Sequence, residues 1–262
     1  MKICRSLLTS LVLLWCALPV YAQAPYSQLL SQGPLTLLIA YKCKPENRVK
    51  LRDRMIDSEI ANLAKWKQAG LLAGYRILFS RYLDTDNYDM LSFLSFKSYL
   101  EVSQWKSVEQ TSPGGLSQVA LTLVTSATTY AMDRVRYAAP TQPQTSKKEP
   151  VFLIVPYDYS VSADQYVSYL DGYVLPQLNG WMQEQVLSGY DIYLARYAAG
   201  RPWSSMLVLE YADDEALGKR ESIVTKVRSQ LQGNAEWRAL SEHKQSVRVE
   251  KEAIIADQLA PR

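Results

Sequence analysis

WKQAGLLAGYRILFSRY, Trp66 to Tyr82, returns as WMQEQVLSGYDIYLARY, Trp181 to Tyr197. Trp, Gln, Leu, Gly, Tyr, Ile, Arg and Tyr keep their places, 8 identities in 17 positions without a gap, where ordinary residue usage gives roughly one. The copies start 115 residues apart, too long a period for a solenoid or propeller, so each copy is the size of a domain. The chain reads as two tandem copies of one structural unit.

Working outward, the periodicities run in the same order in both copies. Leu35 to Tyr41 and Val151 to Tyr157 are β-rich runs, preceded by Pro34 and Pro150. Leu51, Met55, Ile56, Ile60, Leu63 and Trp66 then recur at steps of three and four, as do Val167, Leu170, Val174, Leu178 and Trp181, which predicts a helix in each copy. Pro45 suits a first helical turn, Ser162 with Gln165 makes a capping box, and Pro176 predicts a kink. Two strands follow, Leu72 to Tyr82 and Asp89 to Phe96, matched by Gly189 to Tyr197 and Ser205 to Tyr211. A second helix starts near Ser98 and Asp213, breaks at Ser112-Pro113-Gly114-Gly115 and near Gln232-Gly233-Asn234, and leads to a last strand around Thr129 to Tyr137 and Val247 to Ile255.

The order βαββαβ, twice, is that of the ferredoxin-like unit, an α+β architecture with helices on one sheet face and the other face bare. A bare, partly apolar face must be covered, and a second copy of the same sheet can do it. We therefore expect two units, residues 34–137 and 151–256, packed sheet to sheet as a pseudo-two-fold α/β barrel. Residues 138–150, AAPTQPQTSKKEP, carry three prolines and no hydrophobic side chain larger than alanine, and read as a proline-rich linker.

Three passages carry a resemblance: MLVLEYADDEALGKR from Met206 to Arg220, the glycine opening the second strand at Gly74 and Gly189, and EWRALSEH from Glu236 to His243. On these the chain resembles the dimeric α/β-barrel superfamily, which includes antibiotic-biosynthesis-monooxygenase-like, EthD-like and stress-responsive barrel proteins. The resemblance covers both copies and implies the fold. It does not imply one activity, since members include cofactor-free oxygenases, haem-binding or haem-degrading proteins and isomerases.

The first 24 residues read as a cleaved signal peptide. Lys2 and Arg5 open it, Leu7 to Val20 is the apolar stretch, and Val20-Tyr21-Ala22 or Ala22-Gln23-Ala24 offers a small-residue cleavage site. Thr9, Ser10 and Pro19 interrupt the apolar run, which falls short of the roughly 20 residues of a spanning helix. The expected location is periplasmic or secreted, with no stable membrane insertion after cleavage. Cys4 and Cys16 leave with that segment, so the mature chain keeps Cys43 alone and forms no internal disulfide. Loss of Lys2 and Arg5 takes the formal charge from +3 to +1, and the remaining basic residues are dispersed, so nucleic acid is not an expected partner.

Alternation along the second strand sorts its side chains. Tyr75, Ile77 and Phe79, with Tyr190, Ile192 and Leu194, form the set expected under the helices. Arg76, Leu78, Ser80 and Tyr82, with Asp191, Tyr193, Ala195 and Tyr197, form the set expected inside the barrel. The repeat sets Arg76 against Asp191, either as a polar spot in a tyrosine-lined cavity or, the weightier reading, as a salt bridge that registers the two halves. Glu210 shares the face of Met206 and Val208. The candidate ligand-binding residues are Arg76, Tyr82, Asp191, Tyr193, Tyr197 and Glu210; no nucleophile with a matched base is discernible, and no catalytic residue is assigned. Arg81 and Arg196 hold the same place in both copies, which favours ion pairs, with Asp84 and Asp86 at hand for the former.

His243 is the only histidine, which excludes multi-histidine metal sites and the HExxH helix. It lies where haem-degrading members of the resembled superfamily carry their ligand, but EWRALSEHKQ is polar, so a surface histidine outweighs the haem-ligand alternative and no metal or other cofactor is expected. No P-loop, dinucleotide fingerprint, GxSxG elbow or CxxC pair occurs. Eighteen tyrosines against four phenylalanines suit a partly wet cavity or simply half-exposed strands. The expected function is an exported tandem barrel that binds a small aromatic or planar molecule in a tyrosine-lined interior, as a binding protein or a cofactor-free enzyme. The alternative is a non-catalytic exported barrel acting through a protein partner or an envelope assembly.

Overall fold

The computed structural model describes residues 34–140 and 149–261, so the expected signal peptide and most of the linker lie outside the described residues. The first copy runs β1 (Leu35–Cys43), a 3-10 turn (Pro45–Asn47), α1 (Arg48–Arg54), a π turn (Met55–Glu59), α2 (Ile60–Gln68), β2 (Gly74–Ser80), β3 (Met90–Phe96), α3 (Tyr99–Thr111), a 3-10 turn (Pro113–Gly115), α4 (Gln118–Leu121) and β4 (Val124–Ala138). The second runs β5 (Val151–Tyr159), α5 (Ala163–Tyr169), a π turn (Leu170–Val174), α6 (Leu175–Gln183), β6 (Leu187–Ala195), β7 (Ser205–Tyr211), α7 (Asp214–Gly218), α8 (Arg220–Leu231), α9 (Ala235–Glu242), α10 (Lys244–Val247), β8 (Arg248–Glu250) and β9 (Ile254–Gln258).

Local chemistry accounts for the element starts. Ser98, Asp213 and Ser162 accept hydrogen bonds from backbone N–H groups of their helices' first turns, and Ser162 with Gln165 closes the expected capping box. Each copy widens its first helix into a π turn at the same place, 115 residues apart. In the second copy this turn precedes Pro176, and the Leu175 N–H reaches back five residues to the Leu170 carbonyl. Pro176 therefore falls at the start of α6, where its missing N–H is tolerated, and the expected kink takes the form of a π turn.

Within each copy the four strands pair antiparallel in the ferredoxin-like order, β4-β1-β3-β2 and β9-β5-β7-β6. The two sheets face one another and are also joined at both edges. β4 pairs with β6 from Met132↔Ala195 to Ala138↔Tyr190, and β2 pairs with β9 from Leu78↔Gln258 to Ser80↔Ala256. The eight strands close into a ring, which removes the free edges that an isolated unit would expose.

The second seam is the shorter: both begin at equivalent pairs, Ala195↔Met132 and Ser80↔Ala256, but β9 ends at Gln258 whereas β4 runs on to Ala138. Pro156 shapes the other end of the last strand. Its carbonyl faces the last strand and accepts from the Lys251 N–H at 2.9 Å, so the N–H that proline lacks is missing on that side. The ladder stops there and the last strand splits into β8 and β9, whereas β4 runs unbroken for 15 residues. Three clusters of buried side chains result. One lies under the helices of each copy; the third, including Leu38, Phe93, Met132, Phe152, Tyr193, Met206 and Ile254, fills the barrel.

Candidate functional site

Strand direction sorts the interior by height. Positions early in β2 and β6 and late in β4 and β7 gather at one end of the barrel, and four charged side chains meet there. Arg76 Nη1 donates to Asp191 Oδ2 at 2.8 Å, Arg134 Nε donates to Asp191 Oδ1 at 2.6 Å, and Arg76 Nη2 lies 3.9 Å from Glu210 Oε2. Both carboxylates are buried, while the two guanidiniums are about one-third exposed (31% and 36%), so the cluster plugs the barrel with its cations outward. Arg76 packs over the Phe152 ring and Arg134 over Tyr137. Burial raises the Glu210 carboxyl above its ordinary range, with Arg76 opposing and Asp191 reinforcing the shift. Tyr193 sits one layer deeper against Phe93, its hydroxyl held protonated by burial above all and then by Asp191.

Of the six candidate residues, Arg76, Asp191, Tyr193 and Glu210 thus share one neighbourhood. Tyr82 and Tyr197 do not. They are 62% and 70% exposed because β2 ends at Ser80 and β6 at Ala195, so the alternation that would turn them inward stops two residues before them. That expectation is corrected. Arg134 was overlooked, although it follows Met132 at strand spacing on the interior face of β4.

The strand-end arginines stitch the seams. Arg196 binds Asp133 through Nε and Nη2 at 2.7–3.0 Å, and Arg81 binds Asp257 through Nε at 3.3 Å and Nη2 at 2.6 Å, with Asp214 as a further partner. The two pairs are equivalent, since Asp133 stands opposite Leu194 and Asp257 opposite Phe79, two residues before each arginine. The nearby Asp84 instead accepts the Asp86 N–H.

At the opposite end, a partly enclosed cleft of about 160 Å³ lies between β4 and the segment after β6, lined by Thr129, Tyr130, Tyr197, Arg201 and three apolar side chains. The Arg201 guanidinium packs 4.9 Å from the Tyr130 ring centre, and among the described residues no carboxylate pairs with it. Tyr130 also contacts Trp203 at 4.5 Å between ring centres and shares a 2.7 Å hydrogen bond with Tyr88. Sequence reading missed Tyr130 and Arg201; the one available signal was the RYAAGRPW passage, in which Arg201 has no neighbouring carboxylate.

His243 is exposed at the end of α9. Among the described residues no three His, Cys, Asp or Glu side chains gather as metal ligands, and no helix is long and apolar enough to cross a membrane. Burial and then the Asp89 carboxylate push the Cys43 thiol up to about 12, which disfavours the thiolate.

No family model matches the chain, and no curated protein matches it. Solved structures do. Two "putative monooxygenases" align over most of the chain: that of Lactobacillus acidophilus NCFM, 10% identical, with TM-score 0.55 over 86% of this chain and 94% of that one, and that of Fusobacterium nucleatum, 12% identical, with TM-score 0.56 over 87% and 94%. An anthrone oxidase-like protein aligns at 13% identity and TM-score 0.53 over 87% and 92%. At such identities the likeness shows the fold, which is that of the dimeric α/β barrels built from two copies within one chain.

Proposed function

We propose that this protein binds a small, planar, anionic molecule in the cleft at the Tyr130 end of the barrel, without a cofactor. One observation carries the reading: the cleft brings a guanidinium that meets no carboxylate among the described residues, Arg201, together with two tyrosine rings, Tyr130 and the exposed Tyr197. Its volume of about 160 Å³ is that of a single aromatic ring, since a cavity of about 150 Å³ accommodates benzene. Arg201 would hold a carboxylate, Tyr197 would cover the ring, and the Thr129 hydroxyl is in the lining. The interior charges serve structure in this reading, because they pair with one another and the barrel behind them is filled. Lys2, Arg5 and the apolar run to Val20 support export, to a periplasm or the exterior, as part of the same proposal.

Benzoate titration of the mature protein, followed by aromatic fluorescence through Trp203, tests the site. A saturable change lost in Arg201→Met and weakened in Tyr197→Ala is expected; the same titration curve in Arg201→Met overturns it. Native mass spectrometry of protein from its own host shows whether a small molecule co-purifies. N-terminal sequencing of exported material, expected to begin near Gln23 or Pro25, tests the compartment.

The filled interior favours one further reading, a non-catalytic barrel acting through a protein partner. It is preferred if no molecule co-purifies and variants of Tyr197 and Arg201 leave the gene's phenotype intact.

A further inference from the structure

Arg248 opens β8 directly opposite Tyr159, on the helix-covered face of the second sheet. Its guanidinium packs 3.8 Å from the Tyr157 ring centre and 5.5 Å from that of Tyr169. The other arginines that join strands across the barrel, Arg76, Arg81, Arg134 and Arg196, all meet carboxylates. Arg248 meets none among the described residues, and its one recorded hydrogen bond is a long one, 3.4 Å from Nη1 to the Tyr166 hydroxyl. Ring faces attract the cation but accept none of the five N–H donors that lie in the guanidinium plane.

The groups around it are donors as well. Tyr169 is buried (4% exposed), and its hydroxyl, on the ring beside Arg248, has no acceptor for its own hydrogen among the described residues. The Tyr166 hydroxyl accepts from Arg248 and keeps its own hydrogen to give. Glu250, the nearest acid on the strand, is engaged by the Tyr157 hydroxyl at 2.8 Å. The fold does not require this arrangement. In the first copy the places of Tyr166 and Tyr169 are taken by Leu51 and Arg54, the latter paired with Glu59, and the same helix–sheet packing forms without them.

Among the described residues, a half-buried guanidinium and two phenol hydroxyls converge here with no carboxylate in contact with them. We propose that Arg248, Tyr166 and Tyr169 form a binding site for a small oxyanion of carboxylate type, with the guanidinium as counter-ion and the Tyr169 hydroxyl as the buried donor. The site lies on the helix side of the second sheet and shares no residue with the Arg201 cleft.

Formate and nitrate are the probes, titrated into the mature protein against sodium chloride at equal ionic strength. Calorimetry and the near-ultraviolet tyrosine difference spectrum are the readouts. Saturable binding of formate is expected, lost in Arg248→Met and retained in Arg201→Met, which separates this site from the cleft. Nitrate binding equal to formate defines a site for planar oxyanions in general; formate alone defines a carboxylate site. Because Arg248→Met can perturb folding, Tyr169→Phe is the second variant: it keeps the ring and removes only the donor, and should weaken formate binding about tenfold. Absence of saturable binding to the wild-type protein, binding unchanged in Tyr169→Phe, or loss in Arg201→Met in place of Arg248→Met each overturns the proposal.

Discussion

Arg76 and Asp191 hold the same position in the two copies, 115 residues apart, and are bonded to each other at 2.8 Å. Equivalent residues can touch only beside the local two-fold axis. In a symmetric dimer of identical units that place would set arginine against arginine or aspartate against aspartate. Tandem fusion frees the two positions to differ, and the result is an attractive pair at the point of closest approach. Arg134 adds a second cation to Asp191, while its equivalent on β9, opposite Leu78, is the uncharged Gln258.

Removing the shared carboxylate should therefore be costly. Asp191→Asn leaves two guanidiniums facing one another and is expected to cost about 2–3 kcal/mol, the lower side of the range for broken buried pairs because both arginines reach solvent. Exchanging the charges, Arg76→Asp with Asp191→Arg, should not restore stability, since the new arginine would stand beside Arg134. Urea denaturation of the three proteins measures this; full recovery in the exchange would show that Arg134 is not part of the network.

The two equivalent seam bridges should differ in weight. Asp133 is almost wholly buried and grips Arg196 bidentately, so Asp133→Asn is expected to cost about 3 kcal/mol. Asp257 is more than one-third exposed, and Arg81 keeps Asp214, so Asp257→Asn should cost less than about 1 kcal/mol. Equal losses in denaturation experiments would contradict the ordering.

Gly74 and Gly189 hold the same place in the repeat, the first residue of β2 and the third of β6, but face different surroundings. A Cβ at Gly189 would stand 2.8 Å from the Ala138 carbonyl oxygen on the neighbouring strand, which no rotamer change relieves; a Cβ at Gly74 meets nothing within 4 Å. Gly189→Ala should lose about 1–3 kcal/mol, and Gly74→Ala should be close to neutral in thermal melts.

The Glu210 carboxyl has its folded-state value raised by burial, so the native state binds the proton more tightly than the unfolded chain. This contribution is fully present below the ordinary value of 4.5 and is lost as pH rises through the folded value. Glu210→Gln should flatten that stretch of the stability profile and stabilise the protein at pH 7. Denaturation midpoints of both proteins from pH 4 to 8 give the test, and parallel profiles would refute it.

Cys43 should resist alkylation. With its thiol pushed up to about 12 by burial and Asp89, iodoacetamide should react far more slowly at pH 8 than with a free thiol. Asp89→Asn should speed the reaction; an unchanged rate would assign the whole effect to burial.

The repeat, the order βαββαβ in each copy, the capping box at Ser162 and the second-helix starts near Ser98 and Asp213 were legible in the sequence. They rest on periods of two and 3.6 and on hydroxyl or carboxylate groups within a few residues of the N–H they accept. The pairing of Arg76 with Asp191 was legible too, but only because the repeat aligned them. The same repeat aligned Tyr82 with Tyr197, yet both were misplaced: alternation along the strand would turn them inward, whereas the pairing of β2 with β9 and of β6 with β4 ends at Ser80 and Ala195, two residues earlier.

What only the tertiary structure decided is who meets whom between distant segments. Asp133 and Asp257, not Asp84, bind the repeated arginines, because edge register brings β4 and β9 alongside the strand ends. Pro156 splits the last strand through a missing donor that matters only once a second strand lies on that side. Arg134, Arg201 and Arg248 acquire their surroundings from strands and turns remote in sequence. Local periodicity is set by backbone geometry that each residue shares with its chain neighbours; partners across a closed barrel are set by register, which no short window of sequence contains.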